Sequence, residues 1–208
     1  MNNKAMYKLS YGLFVLTAKM GDKINGCITN TAIQAASEPN QISVAVNKAN
    51  YTHDMIMESG KFTVSVLSEA ASFDLFKRFG FQSGRNVDKF AGFGGFREGP
   101  FGIPIITEGT NAYFNVLVSR TVDLGSHTMF IGGINDMDVL AVVPSATYAY
   151  YQEHIKQSPA APAAAAKEGQ TVWRCTVCGY EYVGEELPAD FICPLCKHPA
   201  SDFEKVIK

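Results

Sequence analysis

Four cysteines near the carboxyl end of this 208-residue chain constrain its fold more than any other feature. They form two Cys-x-x-Cys pairs, Cys175 with Cys178 and Cys193 with Cys196, and 14 residues separate the pairs. Each short turn presents two thiolates, and two such turns that face one another complete a tetrahedral metal site. The sequence therefore predicts a metal-bound unit, in which zinc and iron are both acceptable ions for four thiolates.

A segment without large apolar side chains precedes these cysteines. Residues 157–170 contain two prolines and six alanines, a composition that favours an extended linker between domains. We therefore predict a larger domain over residues 1–156 and a small unit over residues 171–208. The 38 residues of the small unit are too few for a hydrophobic core alone, since chains below about 40 residues usually need a metal, disulfides or a partner.

The charge balance and the apolar runs exclude several classes of protein. Lys and Arg number 18 against 20 Asp and Glu, and this balance argues against a nucleic-acid partner. The apolar runs are far shorter than the roughly 20 residues of a membrane-spanning helix, so we expect no membrane association. The early apolar patch is not followed by a signal-peptide cleavage site, so we expect a cytoplasmic protein with reduced cysteines.

The larger domain has the alternating pattern of β-strands. Ile42 to Val46 and Phe62 to Leu67 alternate with a period of two, as half-buried strands do. Six or seven antiparallel strands with two short helices predict a mainly β fold, a closed barrel. The predicted strands are residues 13–18, 24–30, 42–46, 62–67, 112–122, 128–134 and 139–143, and the predicted helices are residues 51–59 and 70–79.

No catalytic nucleophile or pair of carboxylates stands out, so we expect a cofactor to supply the chemistry. Cys27 lies within a predicted strand and is interpreted as a small buried side chain. The glycine-rich residues 91–102 predict a surface loop. One histidine, His127, follows a turn between two strands, whereas three others are predicted to be ordinary surface residues: His53, His154 and His198.

The small unit carries a dense set of aromatic side chains around its cysteines: Trp173, Tyr180, Tyr182, Phe191 and Phe203. An apolar shell limits access of solvent to a metal and tunes its reduction potential, which favours iron over a structural zinc. A zinc ribbon remains the alternative, because zinc accepts the same four thiolates.

The segments WRCTVCGYEY and ADFICPLCKHPASDFE resemble rubredoxin, the electron carrier that holds one iron ion with four cysteines. The resemblance covers nearly all of residues 172–208, and it implies that this iron is bound by Cys175, Cys178, Cys193 and Cys196. The gap between the cysteine pairs is much shorter than in a free-standing rubredoxin. In this respect the unit resembles the rubredoxin-like modules that are fused to other redox domains.

The larger domain contains several sequence blocks, in order, that resemble the flavin reductase-like family. They are DKINGCITNTAIQ, ISVAVNKANYTHDMI, SGKFTVSVL, FKRFGFQSGRNVDKF and GSHTMFIGGI, and the resemblance covers about residues 1–151. Members of this family are FMN-binding split β-barrels and are commonly homodimers. The resemblance therefore implies a split barrel with bound FMN and a second copy of the chain as partner.

The same resemblance implies which residues contact FMN and the nicotinamide. The segment along the isoalloxazine ring corresponds to Thr29, Asn30 and Thr31. The phosphate side corresponds to two blocks, which contain Asn47, Lys48, Thr52, Ser83 and Lys89. A family histidine near the flavin face, where nicotinamide docks, corresponds to His127.

The two halves together resemble proteins in which a flavin reductase-like domain is fused to rubredoxin. We expect an NAD(P)H-dependent oxidoreductase in which NADH or NADPH reduces FMN, and FMN passes single electrons to the iron. The resemblance also implies an external acceptor, a flavodiiron protein that reduces oxygen or nitric oxide. The alternative is a flavin reductase or flavin-binding protein whose carboxyl-terminal unit is a structural zinc ribbon.

Overall fold

The computed structural model describes residues 3–156, 171–176, 179–193 and 199–207. The chain forms two compact units, Met1–Lys156 and Gln157–Lys208, and each is described by itself. The predicted linker at 157–170, Cys178, Cys196 and His198 lie outside the described residues. Within the described ranges, no helix has the length and apolar character needed to cross a membrane.

Seven antiparallel strands form the main sheet of the first unit, so the predicted mainly β fold is confirmed. Their spatial order is β2-β1-β5-β8-β9-β4-β3. Cys27 of β2 and Val44 of β4 lie near opposite ends of this order yet belong to one apolar cluster, because the sheet rolls into a barrel. The strands are β1 Phe14–Met20, β2 Lys23–Thr29, β3 Ile33–Ser37, β4 Asn40–Asn47, β5 Lys61–Leu67, β8 Thr110–Asp123 and β9 His127–Val139.

Helix α1, Tyr51–Ser59, has the predicted bounds. The Asn50 side chain caps its first turn by accepting the Thr52 N–H, and Gly60 ends it in the left-handed region at φ 65°. Helix α2, Phe73–Gly80, begins three residues later than predicted because the Ser72 hydroxyl caps it by accepting the Leu75 N–H. A third short helix, α3 Tyr148–Tyr150, continues as a π-helical turn.

Two apolar clusters pack on the two faces of the main sheet. The inner cluster fills the barrel, and it contains two side chains of α1, Met55 and Ile56, that are 0% and 1% exposed. The outer cluster packs α2 and the π-helical turn against β1 and β5 through Phe76, Phe79 and Tyr151. Helix α1 therefore packs one face on the inner cluster, whereas α2 packs on the outer cluster.

Three local predictions for the first unit differ from the structure. Strand β3 is absent from the sequence prediction. The predicted strand at 139–143 is wrong beyond Val139, because the backbone N–H groups of Leu140 and Ala141 both donate to the Asn111 carbonyl and do not continue the pairing with a neighbouring strand. The glycine-rich residues 91–102 are only partly a loop, because they contain strand β6, Phe96–Glu98, which pairs with β7, Pro104–Ile106.

The second unit contains a three-stranded antiparallel sheet in the order β11-β10-β12. Strand β10, Thr171–Cys175, ends at one of the predicted metal ligands and lies between β11, Glu181–Val183, and β12, Phe203–Ile207. Val172 is fully buried in this unit. The sheet thus fixes the position of Cys175 from both sides.

Two adjacent glycines of β9 provide a test of the packing between β8 and β9. A Cβ on Gly132 would lie 2.2 Å from the Leu117 carbonyl oxygen and 2.6 Å from Val116 Cγ1, whereas a Cβ on Gly133 meets nothing within 4 Å. We expect Gly132→Ala to lower the free energy of unfolding by about 1–3 kcal/mol, because the strands must separate to admit a methyl group. Gly133→Ala, the control, should change it by less than about 0.5 kcal/mol. Urea unfolding of both variants measures this, and equal losses would contradict the packing.

Candidate functional site

The predicted flavin-binding residues gather around the first turn of α1, with one exception. Met55 and Ile56 anchor this helix in the barrel core, so its amino-terminal end is held at the rim of the barrel. Asn50 caps the helix and Thr52 lies in its first turn, and this turn is contacted by side chains of β2, of β9 and of the turn after α2. The site is therefore assembled from segments that are distant in sequence.

The segment Thr29 to Thr31 follows β2 and is attached to β4. The hydroxyl groups of Thr29 and Thr31 lie 3.0 Å apart. The Thr31 hydroxyl donates to the Ala45 carbonyl at 2.8 Å, two residues before Asn47. Thr29, Asn30 and Thr31 are half-buried, so this short polar segment keeps an accessible side.

The β8–β9 turn and the connection from β4 to α1 form one edge of the site. Asn47 is the register partner of His127, and the Lys48 N–H donates to the Ser126 carbonyl at 3.0 Å. The Lys48 ammonium also donates to Asp123 at 2.7 Å. The hydrogen bond from Lys48 lowers the pKa of the Asp123 carboxyl, and the backbone N–H of Gly125 adds to the effect. Lys48, Asn47 and His127 are thus neighbours, and their predicted contacts with FMN and the nicotinamide stay predictions.

Thr52 lies beneath the surface of the site. Its side chain is fully buried, and its hydroxyl accepts a hydrogen bond from the Asn25 amide at 3.0 Å. Its backbone N–H is engaged by the Asn50 side chain. Thr52 therefore connects the helix to β2, and its predicted contact with phosphate stays a prediction.

His53 was predicted to be a surface residue, and this prediction is wrong. It is 8% exposed, and its Nε2 lies 2.9 Å from the Thr128 hydroxyl. Its Nδ1 lies 3.1 Å from the Asp54 carboxylate. Because a carboxylate only accepts, Nδ1 donates to Asp54, and Nε2 is within hydrogen-bond distance of the Thr128 hydroxyl. His53 thereby joins α1 to β9, next to His127.

Arg85 is a site residue that the sequence reasoning missed. Its guanidinium donates to the Asp54 carboxylate and lies 5.0 Å over the ring of Tyr51. The hydrogen bond from His53 lowers the pKa of Asp54 most, and the hydrogen bond from Arg85 adds to this. Arg85 stands two residues after Ser83, in an exposed turn beside the first turn of α1. The sequence does contain a signal for this residue, because an arginine in a short Ser-Gly-Arg turn is able to bind an anion.

Lys89 is the exception among the predicted residues. It is 4% exposed, and its ammonium donates to the carbonyls of Gly26 and Phe79 at 2.9 Å each. Burial lowers the pKa of Lys89. The structure thus gives this ammonium two main-chain partners, one of them at the end of α2, in place of the predicted phosphate. Nearby, Cys27 is 4% exposed, and burial raises the pKa of its thiol.

In the second unit, the described cysteines are buried among aromatic side chains. Cys175 and Cys193 are 1% and 0% exposed. Gly179, at φ 77°, donates its N–H to the Cys175 carbonyl at 2.8 Å and closes the first cysteine turn. The ring of Phe191 lies 4.9 Å from that of Tyr182 and 5.4 Å from that of Phe203. Buried sulfur donors in an aromatic shell fit an iron ion held by four thiolates.

Two family models match the chain. The model of the flavin reductase like domain matches residues 6–159. The model of the rubrerythrin, rubredoxin-like domain matches residues 173–204. Both resemblances inferred from the sequence are confirmed.

Relatives carry one or both domains. High molecular weight rubredoxin of Moorella thermoacetica is 35% identical over 99% of this chain and 100% of its own length. Ferric-chelate reductase (NAD(P)H) of Archaeoglobus fulgidus is 38% identical over 73% of this chain and 89% of its own. The solved NADH:FAD oxidoreductase SgcE6 of Streptomyces globisporus matches with a TM-score of 0.63 at 22% identity, covering 69% of this chain and 84% of that one. This structure shows the fold alone, a flavin reductase-like barrel.

The Asp54 interactions predict a dependence of stability on pH. Because the folded-state pKa lies below the ordinary value of about 3.9, the stabilisation is present above that value and is lost as the pH falls through the folded pKa. We expect Asp54→Asn to lower the free energy of unfolding by less than about 1 kcal/mol at pH 7, since the pair is partly exposed. In urea unfolding, the difference from wild type should shrink progressively as the pH falls below about 3.9.

A second variant assigns that difference to the ion pair. Arg85→Gln keeps the carboxylate but removes its cationic partner, so it should show a smaller part of the same pH-dependent loss. A difference between wild type and Asp54→Asn that stays constant through the whole acid range in which carboxylates become protonated would contradict the assignment.

Proposed function

This chain belongs to the flavin reductase-like family, and we propose that it is an NAD(P)H-dependent oxidoreductase that passes electrons through FMN to an iron ion bound by four cysteines. One observation carries the proposal. A single chain joins a flavin reductase-like domain to a rubredoxin-like domain, and a relative with the name of a rubredoxin aligns with nearly the whole of it. A flavin next to a one-electron metal centre connects a two-electron donor to a one-electron carrier.

The FMN phosphate is proposed to bind at the first turn of α1. Arg85, Lys48 and Ser83 are exposed beside this turn, and a helix amino terminus attracts anions. The isoalloxazine ring is proposed to lie along Thr29–Thr31, whose half-buried polar groups suit its polar edge. When bound, FMN supplies hydride acceptance and single-electron release.

The nicotinamide of NADH or NADPH is proposed to dock near His127. This side chain is half-buried at the start of β9, and its Nδ1 lies 2.9 Å from the Ser126 hydroxyl. The neighbouring Thr128 is fixed by His53, so the backbone on which His127 stands is held by a buried contact. His127 is thereby presented at the same edge as Asn47 and Lys48.

One iron ion is proposed to be held by Cys175, Cys178, Cys193 and Cys196. The support is the buried position of the two described cysteines, the aromatic shell around them and the matching family model. The alternative, a flavin reductase with a structural zinc ribbon, uses the same donors. Metal analysis separates the two.

The proposed acceptor is a flavodiiron protein in the cytoplasm, and the proposed oligomer is a homodimer. The acceptor follows from the fused architecture. The dimer is supported by an apolar pocket of about 390 Å³ at the barrel, lined by Phe14, Ile42, Phe114 and Met137 among others. Ile33 beside it is 66% exposed, and a second copy of the chain would cover this surface.

Anaerobic purification followed by absorption spectroscopy and metal analysis tests the electron path. We expect iron and FMN in the full-length protein, and NADH should bleach both the flavin band and the ferric–thiolate band. Cys193→Ser should lose the iron band while NADH still reduces the flavin, because the ligand is in the second unit. Cys27→Ala, which removes a buried cysteine of the barrel, should retain iron.

Stoichiometric zinc without iron after anaerobic preparation would overturn electron transfer through the second unit and favour the zinc alternative. Iron that is present but not reduced by NADH would overturn the path from flavin to metal. A protein that binds neither FMN nor FAD would overturn the proposed function as a whole.

The role of His127 can be tested separately. We expect His127→Gln to raise the KM for NADH about tenfold with little change in FMN content, since a lost contact to the nicotinamide costs about 1–1.5 kcal/mol. His154→Gln removes an exposed histidine at the π-helical turn and should leave the KM unchanged. Steady-state kinetics with saturating FMN measures both variants, and an unchanged KM in His127→Gln would contradict the role.

A further inference from the structure

The turn after α2 packs directly on one buried side chain of β2. A Cβ on Gly84 would lie 2.1 Å from Oδ1, 2.5 Å from Cγ and 2.7 Å from Nδ2 of Asn25. Asn25 is 2% exposed. The main chain at Gly84 therefore rests on the Asn25 carboxamide at a distance that only glycine permits.

The same carboxamide holds the first turn of α1. Its Nδ2 donates to the Thr52 hydroxyl at 3.0 Å, and Thr52 is fully buried. An amide group is planar and rigid, so its two contacts stand at a fixed separation. One side chain thus sets the distance between the turn at Gly84 and the beginning of α1.

Arg85 makes the connection of this turn to α1 on the exposed side. Its guanidinium bonds to Asp54 and lies over Tyr51, both in the first turn of α1. Asn25 therefore contacts the buried side of the turn at residues 83–85, and Arg85 attaches its exposed side to α1. A displacement at Gly84 therefore moves Ser83 and Arg85 relative to the helix.

We infer that Asn25 is a positioning residue for the flavin phosphate, and that its carboxamide sets the spacing between the Ser83–Arg85 turn and the first turn of α1. The inference rests on the proposed function, which places the phosphate between these two segments. Asn25 acts through Gly84 and Thr52 and makes no contact with the cofactor. Its removal should therefore weaken recognition of the phosphate more than recognition of the ring.

A comparison of FMN with riboflavin tests this, because riboflavin has the same ring and no phosphate. The full-length protein is stripped of flavin, and both affinities are measured by fluorescence titration. We expect Gly84→Ala to weaken FMN binding about tenfold or more, since the methyl group must displace the turn from Asn25. Riboflavin binding should weaken by less than about threefold, since the ring segment Thr29–Thr31 is not touched.

The double variant Asn25→Ala with Gly84→Ala distinguishes spacing from general damage. Truncation of Asn25 removes the three atoms that a methyl group on residue 84 would overlap. We expect the double variant to bind FMN more tightly than Gly84→Ala alone, because the overlap with residue 84 is relieved, but less tightly than wild type, because the carboxamide that sets the spacing is gone. Gly94→Ala is the matched control, because a Cβ there meets nothing within 4 Å, and it should leave both affinities unchanged.

Equal losses of FMN and riboflavin binding in Gly84→Ala, or no recovery in the double variant, would overturn the inference. Should Gly84→Ala fail to fold, as judged by thermal unfolding, Asn25→Leu replaces it. This substitution keeps the branched shape of the side chain but removes the bond to Thr52, and the same selective loss of FMN binding is expected. Wild-type protein that binds neither flavin would refute the proposed function instead, so the two failures are distinguishable.

Discussion

The burial of Met55 and Ile56 inside the barrel is the interaction on which the candidate site depends. A nine-residue helix is marginal by itself, so tertiary packing must hold α1 in place. Each of these two side chains contributes about 1.5–3 kcal/mol when it is fully removed from water. The barrel core thus determines where the helix begins, and the first turn with its cap is presented at the rim.

Polar contacts then attach three other segments to that first turn. Asn25 links it to β2, His53 links it to β9, and Asp54 links it to the turn after α2. Each exposed cation at the rim already has a carboxylate neighbour, Lys48 with Asp123 and Arg85 with Asp54. These two ion pairs hold the cations of the rim in place and neutralise them only partly, because both pairs are partly exposed to solvent.

The strands with strict alternation were predictable, because a period of two reports one buried face and one exposed face. Strand β3 was not, since its residues are mostly exposed and carry no apolar alternation. Residues 139–143 are apolar, yet Val142 is fully exposed there, because composition does not reveal where a ladder ends. The family blocks indicated the candidate segments, but the burial of His53 and Lys89 depends on partners 75 and 63 residues away. Such pairings follow from the fold and leave no local pattern.

The order of strands in the sheet has a consequence for how the protein is made. Strand β4 pairs with β9, whose first residue, His127, is 80 positions beyond Asn47, so this edge closes only after most of the first unit has been synthesised. Pairings between distant segments form slowly, because the entropy cost of closing a long loop precedes the favourable contacts that the closed loop makes. A nascent chain that ends before β9 contains Asn47 but lacks its register partner, His127. Completion of this edge of the sheet must therefore follow the emergence of β9 from the ribosome.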